Sequence, residues 1–140
     1  MANKPAAPKG KNTATCLIVE DSSFDQEKLR RIMQHSFPEM QIEVAATIER
    51  ARGKMAEHNV TVILLDNSLP DGTGANYAIE LRDEPAFKNI PIIMVSDWPT
   101  PFMFNKAEQA GVKHVVNKSD FGARYVHDAL KPPKKAGYRV

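Results

Sequence analysis

The run Thr61-Val62-Ile63-Leu64-Leu65 ends in Asp66 and is followed at once by Asn67-Ser68-Leu69-Pro70-Asp71-Gly72. A short continuous apolar run bounded by turn formers reads as a strand buried on both faces. Such a strand needs a layer of structure above it and another below. In an open α/β sheet, ligands collect just beyond the carboxyl ends of strands of this kind. Asp66 therefore stands where chemistry is placed, and Pro70, Asp71 and Gly72 turn the chain away after it. Taken alone, an acid here is equally a turn residue closing a strand. The rest of the chain decides between the two.

Four more runs of the same kind flank it. Thr15 to Val19 is a short strand ending in Glu20-Asp21-Ser22-Ser23, and Ser22 or Ser23 can cap a following helix. Leu29, Ile32, Met33 and Phe37 recur at helical spacing until Pro38. Gln41 to Ala46 reads as a strand, and Thr47 caps a helix from Ile48 to His58, with Asn59 breaking the chain after it. Thr73 to Arg82 reads as a helix stopped by Pro85. Ile90 to Val95 is a fourth strand, ending at Ser96-Asp97. Thr100-Pro101 matches an N-cap followed by proline at the first helical position, for a helix running to Gly111. Lys113 to Val116 is a fifth strand ending at Asn117-Lys118, and Ser119 to Leu130 a last helix closed by Pro132-Pro133. Five strand–helix units in alternation predict an α/β fold, a parallel sheet doubly wound with helices on both faces.

The chain has 140 residues, enough for one domain with one core. Residues 15–131 carry the pattern. Residues 1–14 and 132–140 read as basic tails without periodicity, the first disordered. Lys4, Lys9, Lys11, Lys131, Lys134, Lys135 and Arg139 lie at the two ends, leaving 12 of the 19 Lys/Arg against 17 Asp/Glu in residues 14–130. An acidic body with short basic ends is a poor nucleic-acid footprint. No stretch approaches the roughly 18 apolar residues that span a bilayer, so no membrane insertion is expected. The N-terminus lacks the apolar segment of a secretory signal. Cys16 is the only cysteine, in a buried strand where an inert thiol is the usual case, and a cytoplasmic location is expected. The four histidines show no metal-ligand spacing.

Four of the five strands end in a residue capable of chemistry: Glu20-Asp21, Asp66, Ser96 and Lys118. A parallel sheet brings these ends to one edge. At about 4 Å and an effective dielectric near 20, each pair of like charges costs on the order of 4 kcal/mol. One lysine does not offset three carboxylates, so the cluster calls for a cation. All-oxygen ligation suits a hard ion such as Mg²⁺, with Asp66 and Asp21 as direct ligands and Glu20 acting through water. A carboxylate beside Mg²⁺, a lysine and a hydroxyl is equipped for phosphoryl transfer through an acyl phosphate.

On these residues the chain resembles the response-regulator receiver domains, the CheY-like fold of two-component signalling. The matching stretches are Val19-Glu20-Asp21, Leu64-Leu65-Asp66 with Leu69-Pro70-Asp71-Gly72, Pro91 to Ser96, and Val115-Val116-Asn117-Lys118. The spacings of 45, 30 and 22 residues between Asp21, Asp66, Ser96 and Lys118 also fit. The resemblance covers about residues 14–131. It implies a flavodoxin-like (βα)5 fold, a five-stranded parallel sheet of order 2-1-3-4-5. It implies that Asp66 accepts a phosphoryl group from a histidine on a kinase or phosphotransfer protein. It assigns Glu20, Asp21, Asp66 and the Ser68 backbone carbonyl to Mg²⁺, and Ser96 and Lys118 to the phosphoryl group.

Three positions depart from the family pattern. Val115 stands where an aromatic switch residue is usual, three positions before the lysine. Ser119 follows Lys118 where a cis-proline is usual, and a trans bond is expected because a cis bond before a non-proline costs about 2.5–4 kcal/mol. Asp97 replaces a small residue after Ser96 and reads as a solvent-facing acid. Trp98, Phe102 and Phe104 read as core or helix-packing residues. Ser68 and Trp98 occupy positions that tune dephosphorylation in the family.

Nothing in the chain after the last helix reads as an output domain. Signalling is expected in trans, through the surface of roughly residues 101–130 toward a downstream protein, with no enzymatic activity beyond the chain's own phosphorylation and dephosphorylation. The alternative is a constitutive protein-binding module that keeps the fold without being phosphorylated. A phosphohydrolase is disfavoured because Asp66-Asn67-Ser68 lacks a second acid two residues after the first.

Overall fold

The computed structural model describes residues 12–132. The elements in order are β1 (Ala14–Val19), α1 (Ser23–Ser36), β2 (Gln41–Ala45), α2 (Ile48–Glu57), β3 (Asn59–Leu65), β4 (Ser68–Leu69), β5 (Gly72–Thr73), α3 (Gly74–Asp83), β6 (Ile92–Ser96), α4 (Pro101–Gln109), β7 (His114–Asn117) and α5 (Ala123–Leu130). The main sheet is fully parallel in the order β2-β1-β3-β6-β7. With the two-residue strands β4 and β5 set apart as their own antiparallel hairpin, this is the expected 2-1-3-4-5 arrangement.

Alternation along the strands builds two cores. Cys16, Ile18, Val62, Leu64, Ile93 and Val95 point to one face, where Leu29 and Met33 of α1 and Val126 and Ala129 of α5 cover them. Leu17, Val19, Ile63, Leu65, Ile92 and Met94 point to the other, under α2, α3 and α4. The central strands are closed on both sides, which is why they read as unbroken apolar runs rather than alternating ones.

Side-chain hydroxyls start four of the helices. Ser22, Thr47, Thr73 and Thr100 accept from the amides of Asp25, Arg50, Asn76 and Met103. Each satisfies an amide that the first turn leaves without a partner.

Several boundaries move. The ordered body begins before residue 15: β1 starts at Ala14, and the Asn12 carbonyl accepts from Asn59 Nδ2 at 2.9 Å. The expectations for residues 1–11 and 133–140 lie outside the described residues. Asn59 does not break the chain but opens β3, paired with Ala14. The last helix starts at Ala123, not Ser119. Asn117 Oδ1 accepts from the Ser119 amide at 2.9 Å and its hydroxyl at 2.7 Å, holding residues 117–120 in a turn. The Lys118–Ser119 bond is trans, as is every peptide bond among the described residues.

Trp98, Phe102 and Phe104 are the clearest correction. They are 85%, 68% and 47% exposed, not core. Helix α4 buries Met103 and Ala107, four residues apart, so Phe102 and Phe104 fall on either side of the buried stripe. Phe102 instead carries the Lys106 ammonium 4.9 Å from its ring centre. No helix among the described residues is long and apolar enough to cross a membrane.

Candidate functional site

Register brings the chemistry to one edge. Val19 is level with Ala45 and Leu65, Leu65 with Met94, and Ser96 with Asn117. The next bonds extend the sheet into the site: the Glu20 amide donates to the Ala45 carbonyl at 3.0 Å and the Asp66 amide to the Val19 carbonyl at 2.9 Å. The Lys118 amide donates to the Ser96 carbonyl at 3.2 Å, so hydroxyl and lysine sit on adjoining backbone.

Glu20, Asp21 and Asp66 each offer an oxygen, and these atoms lie within 4.8 Å of one another. Among the described residues this is the one such group of three or more potential ligands. Glu20, Asp66 and Ser96 are buried, whereas Asp21 is exposed. Lys118 Nζ lies 2.9 Å from Glu20 Oε1, 3.8 Å from Asp66 Oδ1 and 3.9 Å from Asp97 Oδ2. Asp97 is mostly exposed, as expected of a loop acid, yet it belongs to the rim of this cluster. Ser68 opens β4 two residues beyond Asp66, paired with Thr73. Val115 is partly buried against the α2–α3–α4 core, a fixed packing residue where the family pattern has an aromatic.

The loop after Asp66 is held in place by several bonds. Asp66 Oδ1 accepts from the Asn67 amide at 2.9 Å, Asn67 Oδ1 from the Ala75 amide at 3.0 Å, and the Asn67 carbonyl from the Gly74 amide at 2.8 Å. Asp71 reaches the start of α2, where its two oxygens accept from the Ile48 and Glu49 amides at 2.9 and 3.0 Å. This anion at a helix N-terminus fastens the hairpin β4–β5 to α2.

The charges do not balance. Burial pushes the Asp66 carboxyl above the ordinary range, opposed by Lys118 and the Asn67 and Ser68 amides and reinforced by Asp21. Burial likewise pushes Glu20 up, against the Ser22 amide and Lys118 and with the Asp66 charge. Burial alone would lower Lys118, but its bond to Asp25, its close contact with Glu20 and the charges of Asp66 and Glu20 outweigh this and hold it firmly protonated. Glu20 Oε1 is fully buried and has the Lys118 ammonium 2.9 Å away, but no aligned hydrogen bond. A buried carboxylate oxygen so incompletely satisfied, beside two more carboxylates, fits a hard divalent cation.

Three participants were not read from the sequence. Asp25 accepts from Lys118 Nζ at 2.9 Å. Gln26 Nε2 donates to the Glu20 carbonyl at 2.6 Å, and Lys28 Nζ to the Lys118 carbonyl at 2.9 Å. Their one sequence signal is position: all three lie in the first turns of the helix that follows Glu20-Asp21.

The comparisons with known proteins agree with this geometry. The family model described as "Response regulator receiver domain" matches residues 16–131. "Stress response regulator protein 1" of Scheffersomyces stipitis is 30% identical over 90 residues, covering 63% of this chain and 31% of that protein. The chain thus spans about a third of that relative's length. "Polar-differentiation response regulator DivK" of Brucella ovis is 25% identical over 114 residues, covering 81% of this chain and 91% of the relative. The crystal structure of a CheY-like response regulator receiver domain protein from Methanospirillum hungatei superposes with a TM-score of 0.71 at 20% identity, covering 84% of this chain and 90% of the other. With the family match running from β1 to the end of α5 and the same sheet beneath it, the chain belongs to the response-regulator receiver domain family.

Proposed function

We propose that this receiver is a phosphoacceptor, taking a phosphoryl group from a phosphohistidine of a kinase or phosphotransfer protein onto Asp66. The observation that carries the reading is the buried Asp66 carboxylate at the end of β3, with Glu20 and Asp21 oxygens beside it and Lys118 Nζ at 3.8 Å. One Asp66 oxygen attacks phosphorus, the phosphorus–nitrogen bond to the donor imidazole breaks, and the imidazole departs. Lys118 offers a positive charge to the phosphoryl oxygens, and the Ser96 hydroxyl offers a hydrogen bond. Glu20, Asp21, Asp66 and the Ser68 carbonyl would hold Mg²⁺, which when bound offsets the negative charge gathered at the phosphoryl group. The anchored loop Asn67–Gly74 keeps the Asp66 carboxylate from turning away. The chain catalyses no reaction beyond its own phosphorylation and dephosphorylation.

The output is a changed surface read by a protein partner in a cytoplasmic two-component system. Residues 101–130 suit that role, because Phe102 and Phe104 stand exposed on α4 beside the β6–α4 loop that leaves the site. Phosphorylation can bias such a surface only through its differing interactions with two states.

Intact mass after incubation with Mg²⁺ and acetyl phosphate tests the reading. One added phosphoryl group in the wild type, absent from Asp66→Asn, is the expected outcome. No addition from acetyl phosphate or from histidine phosphodonor proteins would instead support a constitutive binding module.

A further inference from the structure

We propose that Asp25 is a positioning residue that holds Lys118 at rest and competes for it with a phosphoryl group on Asp66. The inference rests on the phosphoacceptor reading and goes beyond it.

Four carboxylates from four different elements face the Lys118 ammonium: Glu20 after β1, Asp25 on α1, Asp66 after β3 and Asp97 after β6. Among the described residues only Asp25 receives an aligned hydrogen bond from it, at 2.9 Å. Glu20 Oε1 is equally near, at 2.9 Å, but without an aligned bond, and Asp66 is 3.8 Å away. The ammonium therefore rests against Asp25 and Glu20 and not against the proposed acceptor. Asp25 is fixed for this task, since its own amide donates to the Ser22 cap at 3.3 Å. Lys28, three residues on and on the same helix face, donates to the Lys118 carbonyl. Helix α1 thus grips Lys118 at both its charged end and its backbone.

A phosphoryl group on Asp66 changes the balance. It raises the negative charge there toward about −2 and adds strong acceptor oxygens, while Asp25 keeps a single charge. An ammonium has three donors, and the one now held by Asp25 is better satisfied at the phosphoryl oxygens. Lys118 then leaves Asp25, and the start of α1 loses its bond to the β7–α5 turn. In the unmodified protein the same bond acts as a brake, because Lys118 must give up Asp25 before it can assist transfer.

The test measures the rate of phosphoryl uptake from acetyl phosphate in Mg²⁺ for the full chain, Asp25→Asn, Asp25→Glu and Asp97→Asn. Asp25→Asn is expected to be about three- to fivefold faster, in line with the release of one partly exposed ion pair. Asp25→Glu, which keeps a carboxylate within reach, and Asp97→Asn, which removes a charge from the rim, should stay within about twofold of wild type. A double-mutant cycle of Asp25→Asn with Lys118→Met in urea unfolding of the unmodified protein should show coupling of about fivefold in the folding equilibrium. No rate gain in Asp25→Asn, an equal gain in Asp97→Asn, or no coupling overturns the competition while the acceptor role stands. A wild type that takes up no phosphoryl group overturns the acceptor role, and the competition with it.

Discussion

Gly74 packs so closely on the proposed acceptor that a Cβ would collide with the Asp66 carbonyl oxygen and crowd Leu65. Its amide also donates to the Asn67 carbonyl, so the first residue of α3 and the loop after β3 are locked together. Gly74→Ala must push Asp66 or the start of α3 out of place. We expect a loss of about 1–3 kcal/mol in stability by urea unfolding, the range for overpacking a closed site. Phosphoryl uptake should fall as well, because the carboxylate moves with its backbone. Unchanged stability would mean that the backbone yields here at no cost. The proposed acceptor site is legible in the sequence for a simple reason: Glu20, Asp21, Asp66, Ser96 and Lys118 stand at or just beyond the ends of apolar strands, and parallel register carries them to one edge. Asp25 gives no such sign. It is a polar residue in the first turn of an amphipathic helix, and its partner Lys118 lies 93 residues away, which only the packing of α1 against the sheet edge reveals. The aromatic residues mislead for the converse reason. Their hydrophobicity suggests burial, but the stripe that α4 buries is set by Met103 and Ala107.

At the scale of elements, hydrophobic runs and hydroxyl caps announce β1 to β3, β6 and the starts of α1, α2 and α4. Local side-chain bonds, which composition does not announce, account for what is missed. The Asn117 side chain satisfies the Ser119 amide and delays α5, and Gly122 then stands at its N-cap with no side chain to mark the start. Asp71 turns toward α2 and leaves Gly72-Thr73 to pair with Ser68-Leu69. The edge strand β2 is tied to α2 in a similar way. Glu43 Oε1 meets Lys54 Nζ at 2.8 Å, and Glu43 Oε2 accepts from Gln41 Nε2 at 2.7 Å. Burial would raise the Glu43 carboxyl, but Lys54, Gln41 and His58 outweigh it and hold it below the ordinary range. A carboxyl lowered in the folded state contributes its stability above its unfolded pKa of about 4.3, and that contribution is lost as pH falls through the folded value. Glu43→Gln should therefore cost about 1 kcal/mol or less at pH 7, since the pair is partly exposed. Wild type and variant should converge as pH falls through the lowered folded value and Glu43 becomes neutral in both states. A difference that persists once the Glu43 carboxyl is protonated, followed by NMR on the same samples, would assign the effect to packing rather than charge.

Across the whole molecule, the fold gathers like charges where its strands end and closes two hydrophobic cores beneath them. Those cores hold the sheet edge in register, so the carboxylates cannot relax apart without disturbing β1 or β3. Burial raises both Glu20 and Asp66, helped by the Asp66 charge at Glu20 and the Asp21 charge at Asp66, and the one ammonium beside them gives its aligned bond to Asp25. The site therefore opposes folding when no divalent cation is supplied. Asp66→Asn removes one repelling charge without changing the shape of the side chain. In a metal-free buffer at pH 7 it should stabilise the protein by about 1–2 kcal/mol, a fraction of the on the order of 4 kcal/mol for a close pair because both water and Lys118 screen it. Mg²⁺ reverses the ranking if it binds the folded state alone. At a hundredfold excess over its dissociation constant, wild type should gain about 2.7 kcal/mol. Asp66→Asn and Asp21→Asn, each lacking one ligand charge, should gain far less. Thermal melts with and without Mg²⁺ measure both effects on the same samples. An Asp66→Asn variant less stable than wild type without metal would show that Asp66 supports the fold at rest. An equal Mg²⁺ shift in all three proteins would place the cation elsewhere and remove the Glu20–Asp21–Asp66 cluster from the proposed chemistry.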